Sequence, residues 1–185
     1  MELIFTKNIS ALSVLAASLF TSGAFAASPS TTEVIINAKV VESTCVAGWD
    51  ASGVSVNLGS VSTTAMPAKG AIGASQPFVL NLTGCSGVTK VHLSATGESA
   101  SDDNTAFANS SGTAKGVGVL LFGGNNQTTQ LLPSNSSTTA DYDIQDGNAT
   151  LALLAKLVRT TDSTNPESFA AGTVLSRATL NLTYE

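Results

Sequence analysis

The segment ATLNLTYE, residues 178–185, closes the sequence and decides how the rest of it is read. Ala178, Leu180, Leu182 and Tyr184 fall on one side of an alternating run, with Thr179, Asn181, Thr183 and Glu185 on the other. That is the period-2 pattern of a half-buried strand. Such a strand needs a neighbour along each edge. No turn or further strand follows, so the expectation is a terminal strand whose next hydrogen-bonding partner has to come from elsewhere.

A candidate partner stands at the other end of the chain. In EVIINAKVVESTC (33–45), Val34, Ile36, Ala38 and Val40 share one face, and Ile35, Asn37, Lys39 and Val41 the other. This reads as one strand or two fused end to end. A surplus strand at one end thus matches a deficit at the other. If residues 33–41 do not fold back into their own domain, they can fill the next molecule's, and repetition of that step builds an open head-to-tail polymer.

Between these ends the chain reads as short strands and loops. VSVNL (54–58) alternates, and PFVLNLTGC (77–85) places Phe78, Leu80 and Leu82 on one face. VHLSA (91–95) and GVGVLLF (116–122) follow the same logic, the latter as a buried strand. GESASDDNTAFANSSGTAKG (97–116) and the stretch from residue 133 to 148 are expected to be polar loops, and GGNNQ (123–127) a turn. LALLAKLV (151–158) is too brief for periodicity to separate helix from strand, but its place among strands favours a strand. Seven or eight strands at this spacing, without internal repeat or composition break, point to one all-β sandwich domain.

Composition agrees with that class. With 185 residues the chain has room for one domain with a real core. Only 11% of residues are charged, the net charge is −5 and the pI is near 4.7, which gives no electrostatic footprint for nucleic acid. Residues 1–26 read as a secretory signal. Lys7 precedes the apolar run 9–20, and Ala24 and Ala26 occupy an A-x-A cleavage site. That run is shorter than the ~20 residues a spanning helix needs, so no membrane span is expected in the mature chain. Cys45 and Cys85, an even pair in an exported chain, are expected to form one disulfide. Its loop is worth roughly 4 kcal/mol in the chain-entropy model. The sequence contains no C-x-x-C, and His92 is its only histidine, so neither a metal nor a cofactor is expected.

Catalysis is not expected either. A serine triad would depend on His92, which VHLSA places on a strand as an ordinary solvent-facing residue. DYDIQDG (141–147) lacks the ligand order of a calcium loop and reads as a solvated loop, as do Asp102 and Asp103. Trp49 reads as the cover of one end of a core rather than a sugar platform. The sequons at Asn81, Asn109, Asn126, Asn135, Asn148 and Asn181 read as chance products of a Ser/Thr/Asn-rich surface.

Taken in order, VIINAKVVESTC (34–45), PFVLNLTGC (77–85), GVGVLL (116–121) and AGTVLSRATLNLTYE (171–185) resemble the pilins of chaperone–usher fimbriae, in particular the shaft subunits of type 1 and P-like pili. The resemblance runs the length of the mature chain. It implies an incomplete immunoglobulin-like β-sandwich lacking its last strand, completed by a donor strand from a neighbouring subunit. Residues 27–41 would be the donor extension and 42–185 the pilin domain. Val34, Ile36, Ala38 and Val40 would form the donor face, and Leu180, Leu182 and Tyr184 the groove edge read by a periplasmic chaperone. Cys45 and Cys85 match the family's cysteine pair. Where the family's donor segment usually carries glycine, this chain has Ala38. The implied partners are other copies of the chain or related pilins, the chaperone and an outer-membrane usher, and the implied destination is the cell-surface fimbria. A minor adaptor, an adhesive tip subunit or a secreted monomeric ligand-binding sandwich are the alternatives. An adhesin would need an additional receptor-binding domain before its pilin domain.

Overall fold

A computed structural model describes residues 32–40, 45–165 and 167–185. The expected signal segment 1–26, residues 27–31 of the extension and residues 41–44 lie outside the described residues. Twelve strands and one 3-10 turn (Thr63–Ala65) make up the regular structure among the described residues. The strands are β1 (Thr32–Val40), β2 (Val46–Ala47), β3 (Val54–Gly59), β4 (Ile72–Thr83), β5 (Lys90–Gly97) and β6 (Ser99–Ala100). They continue with β7 (Asp103–Ala108), β8 (Val117–Gly123), β9 (Thr129–Leu131), β10 (Ala140–Asp143), β11 (Ala149–Arg159) and β12 (Val174–Tyr184).

Two sheets share these strands. The first has the order β10-β5-β12-β1-β3; the second runs β2-β4-β11-β8-β7-β6, with β9 added along β8. Each contributes one apolar face to a common core, in which Leu80, Leu82, Leu93, Leu151, Leu153 and Leu180 are almost fully buried. The segment LALLAKLV is a strand, the centre of β11. It is flanked by β4 and β8, so its inward row of Leu151, Leu153, Ala155 and Leu157 is buried, while the outward Ala152 and Leu154 are half-covered by their neighbours. A strand covered in this way reads as a continuous apolar run, which is why its period is hard to see.

The stretches 97–116 and 133–148 are not simply loops. Strands β6 and β7 lie in the first and β10 in the second. Each is anchored by very few apolar side chains in a polar sequence: Ala106 and Phe107 in β7, Ala140 and Tyr142 in β10. Tyr142 donates a hydrogen bond to the Ala152 carbonyl (2.7 Å) and accepts one from the Gly124 amide (2.7 Å). Gly123 leaves room for that hydroxyl, because a Cβ there would come within 2.9 Å of it. Burial pushes the Tyr142 pKa up to about 12. Asp141 and Asp143 therefore project from an edge strand rather than from a flexible loop.

Arg159, at the end of β11, is 3% exposed. Its Nε donates to Thr161 O (2.8 Å), Nη1 to Met66 O (3.0 Å) and Pro67 O (2.8 Å), and Nη2 to Ser163 O (2.9 Å). The guanidinium lies 4.0 Å from the Phe169 ring centroid. One side chain thus ties the loop after β11 to the turn before β4, using the fork geometry that arginine alone provides.

The two ends of the sandwich differ. At one end β4 and β12 finish and β5 and β11 begin: Thr83 pairs with Val46, Leu82 with Ala149, and Tyr184 with Val91. Here the Cys85 amide donates to Gly147 O (2.9 Å) and the Thr89 amide to Glu185 O (2.6 Å), and Cys45 is joined to Cys85. Val174, the start of β12, lies at the opposite end, beside the turn in which the Ala114 amide donates to Thr173 O (2.9 Å).

Candidate functional site

The terminal strand behaves as its alternation predicts. Val174, Ser176, Ala178, Leu180 and Leu182 point inward and are buried, and the residues between them are exposed or half-buried. One edge of β12 pairs antiparallel with β5, from Ala178↔Gly97 to Tyr184↔Val91. The expectation that its other edge lacks an intramolecular partner is corrected: β1 of the same chain lies there. It is parallel to β12 from Thr32↔Val174 to Val40↔Leu182 and antiparallel to β3 on its far side, from Thr32↔Gly59 to Ile36↔Val54. The physical reason is the one that made the segment stand out. An apolar-faced strand leaves water wherever a matching groove is within reach, and its own chain offers one.

The groove is built from the register of three strands. Val34 lies between Ser176 of β12 and Val56 of β3, and Ile36 between Ala178 and Val54. The larger side chains of the incoming strand thus meet small residues on β12. Val34 is 2% exposed and Ile36 1%, a transfer worth about 1.5–3 kcal/mol for each side chain. The backbones of Ala38 and Val40 lie opposite Leu180 and Leu182; their side chains lie outside the described ones. Leu180 and Leu182 are core residues at 0% and 3% exposure, while Tyr184 is half-buried at the end of the strand. Two hydroxyls along β12, Ser176 Oγ and Tyr184 Oη, are buried without a hydrogen-bond partner, and burial raises the Tyr184 pKa.

Beside the end of β12 is a cluster that the sequence pattern did not reveal. His92 Nδ1 is 2.7 Å from Asp141 Oδ1, and Nε2 is 3.2 Å from Glu185 Oε2. The ring thus bridges β10, β5 and the last residue of the chain. The hydrogen bond to Asp141 first, and that to Glu185 second, raise the His92 pKa, and the same contact lowers that of Asp141. His92 does face solvent, at 27% side-chain exposure. Both ring nitrogens nevertheless lie within hydrogen-bond distance of a carboxylate. Trp49 packs half-buried against the core. Among the described residues no group of three or more His, Cys, Asp or Glu side chains is placed to hold a metal, and no helix is long and apolar enough to cross a membrane.

A two-sheet sandwich with a disulfide at one end, whose C-terminal strand receives the chain's N-terminal strand along a groove, defines the class: an immunoglobulin-like domain in which an N-terminal extension fills the place between β12 and β3. The chain belongs to the fimbrial protein family, whose model matches residues 34–185. That match begins inside β1, so the strand in the groove is part of what the family shares. The chain is 29% identical to long polar fimbria protein A of Salmonella typhimurium, with all of both chains covered. It is 30% identical to the probable major fimbrial subunit LpfA of Escherichia coli O157:H7, over 86% of this chain and 89% of that one. Among solved structures it resembles the P pilus rod subunit PapA, at TM-score 0.61 and 17% identity over 77% of this chain and 100% of that one. A subunit of a chaperone–usher pilus matches with TM-score 0.62 and 17% identity, over 80% and 91%. At that identity these structures establish the fold alone.

Proposed function

We propose that the chain is a shaft subunit of a bacterial surface fimbria that polymerises by strand addition, the extension of one copy filling the groove along β12 of the next. One observation carries the reading: Val34 and Ile36 of the N-terminal strand fill a groove between β12 and β3, where both are almost fully buried. Backbone pairing along both edges supplies affinity, and the alternate apolar side chains fix the register, because a one-residue slip would turn them outward. The relatives support the shaft over a minor adaptor, since one is named a probable major fimbrial subunit and both span nearly the same length as this chain. The role is structural and needs no catalytic step. Export past a periplasmic chaperone and assembly at an outer-membrane usher follow from the same reading, with the chaperone holding the edge of β12 marked by Leu180, Leu182 and Tyr184 until a donor strand replaces it.

Deletion of residues 27–41 tests the proposal. The remaining domain should still be recovered from the periplasm in complex with its chaperone, yet electron microscopy of the cells should find no fibres containing it. Normal-length fibres built from the deleted subunit would sink strand addition.

A further inference from the structure

The inward row of β12 is not apolar throughout. After Val174 it runs Ser176, Ala178, Leu180, Leu182 and ends on Tyr184. Its two hydroxyls, Ser176 Oγ and Tyr184 Oη, are the buried side-chain polar atoms among the described residues that have no hydrogen-bond partner. Elsewhere in the fold comparable hydroxyls are paired: Tyr142 makes two hydrogen bonds, and Thr161 Oγ1 accepts one from the Ser163 amide. Ser176 is 0% exposed, so solvent does not substitute for the missing partner. A hydroxyl buried unpaired has given up its bonds to water without replacement, and this one does so on the wall of the groove.

The chain's own donor face does not supply the partner. Val34 lies opposite Ser176, and Ile36, Ala38 and Val40 are equally without a hydrogen-bonding side chain. Whichever of these four stands against Ser176, the hydroxyl stays unpaired. Threonine has nearly the shape of valine with a hydroxyl in place of one methyl, and Thr–Ser pairs directly opposite each other on neighbouring strands hydrogen-bond. A strand with threonine or serine at that position would fill the same space and satisfy both hydroxyls. We infer that Ser176 is a specificity determinant of the groove, favouring the strand of a non-identical subunit that sets a threonine or serine hydroxyl against it over the wholly apolar donor face of an identical copy. The inference rests on the strand-addition reading and adds to it a rule for which strand wins when two are offered. Identical copies still pair through their apolar row. The preference is about fivefold or more, the worth of one neutral hydrogen bond.

Four full-length proteins test the contact itself: wild type, Val34→Thr, Ser176→Ala and the double variant. Hydrogen exchange of the β3 amides that face β1 reads how often β1 opens. Val34→Thr alone should leave that exchange unchanged or slow it, and Ser176→Ala alone should not speed it. The double variant should exchange at least ~10-fold faster than Val34→Thr, because the introduced hydroxyl then has no partner. Strictly additive effects of the two substitutions would overturn the inference. Selection between strands is read in assembly. Val34→Thr, Ile36→Thr, Ala38→Thr and Val40→Thr subunits are each mixed with an equal amount of wild type, and new fibres are analysed by mass spectrometry at low conversion. One of the four should enter at least ~5-fold in excess of wild type, and the excess should vanish when both competitors also carry Ser176→Ala. Fibres that take up none of the four in excess overturn the inference and leave strand addition standing. Fibres that form equally well from subunits lacking residues 27–41 overturn strand addition itself.

Discussion

Replacing Ile36 by alanine should open the groove without unfolding the domain. Ile36 is 1% exposed, seated between Ala178 and Val54, and truncating a side chain buried to that degree costs about 2–5 kcal/mol. In most core positions that loss would be spread over global stability. Here it falls on a strand near the chain's N-terminal end that is held by two ladders and a short apolar row, so it should appear as local undocking of β1. Two kcal/mol corresponds to a roughly 30-fold rise in the open population, since about 1.4 kcal/mol is a factor of ten. Amide hydrogen exchange resolves this directly. The amides of β3 and β12 that face β1 should exchange at least ~30-fold faster in Ile36→Ala, while those in the centre of β11, between β4 and β8, keep their protection. Ile35→Ala, on the half-buried opposite face of the same strand, is the control and should change exchange only slightly. Uniform acceleration across β11 and β12, or none at either, would show that β1 is not a separable element.

Three further outcomes follow from side chains outside that row. Arg159→Met should destabilise the fold by about 3 kcal/mol or more in denaturant unfolding, because it strands buried carbonyls that now accept charged hydrogen bonds; Arg159→Lys should not restore the loss, and full recovery by lysine would contradict the fork-geometry account. Ser176→Ala should leave stability unchanged or raise it by about 1 kcal/mol, since the hydroxyl is buried without a partner, and a loss above ~1 kcal/mol would reveal a hydrogen bond to it. The His92 contact should be pH-dependent: a raised folded-state pKa gives stability that is full below the ordinary value of 6.5 and lost as pH rises through the folded value, while the lowered Asp141 pKa gives stability present above 3.8 and lost as pH falls through its own folded value. Wild type should therefore exceed His92→Gln in thermal midpoint near about pH 5.5 and converge with it by about pH 8, and a gap that widened with pH would reverse the sign of the argument.

What could be seen in the sequence was set by how many apolar side chains each strand contributes. β3, the second half of β4, β5, β8 and β12 alternate over enough residues for their period to show, and they lie where the pattern places them. β7 and β10 were hidden because Ala106 with Phe107, and Ala140 with Tyr142, are too few to establish a period within Ser-, Asn- and Asp-rich text. Their order depends on what they pair with, and that is a property of the fold. The same holds for His92. Its partners are 49 and 93 positions away, so a local pattern reads it only as outward-facing. Arg159 gathers carbonyls from as far as 93 positions away and gives no local sign of being buried.

The groove shows most clearly where sequence reasoning stops. Alternation at Val34, Ile36, Ala38 and Val40 specifies a face and a register parity, and it does so identically whether the strand is read forwards or backwards. Counting a surplus strand against a deficient edge gives the same balance whether the two belong to one molecule or to neighbours. Neither the direction of the strand nor the identity of its host is therefore written in the apolar pattern. Both depend on a distance that becomes visible only once Cys45 is placed at the end of the sandwich where β12 finishes. A link that reaches about 17 Å can deliver Val40 to the near end of β12 but not to the end about 27 Å away. For this chain the apolar residues determine that the strand inserts, and the short connection beside them determines how it does so within one molecule.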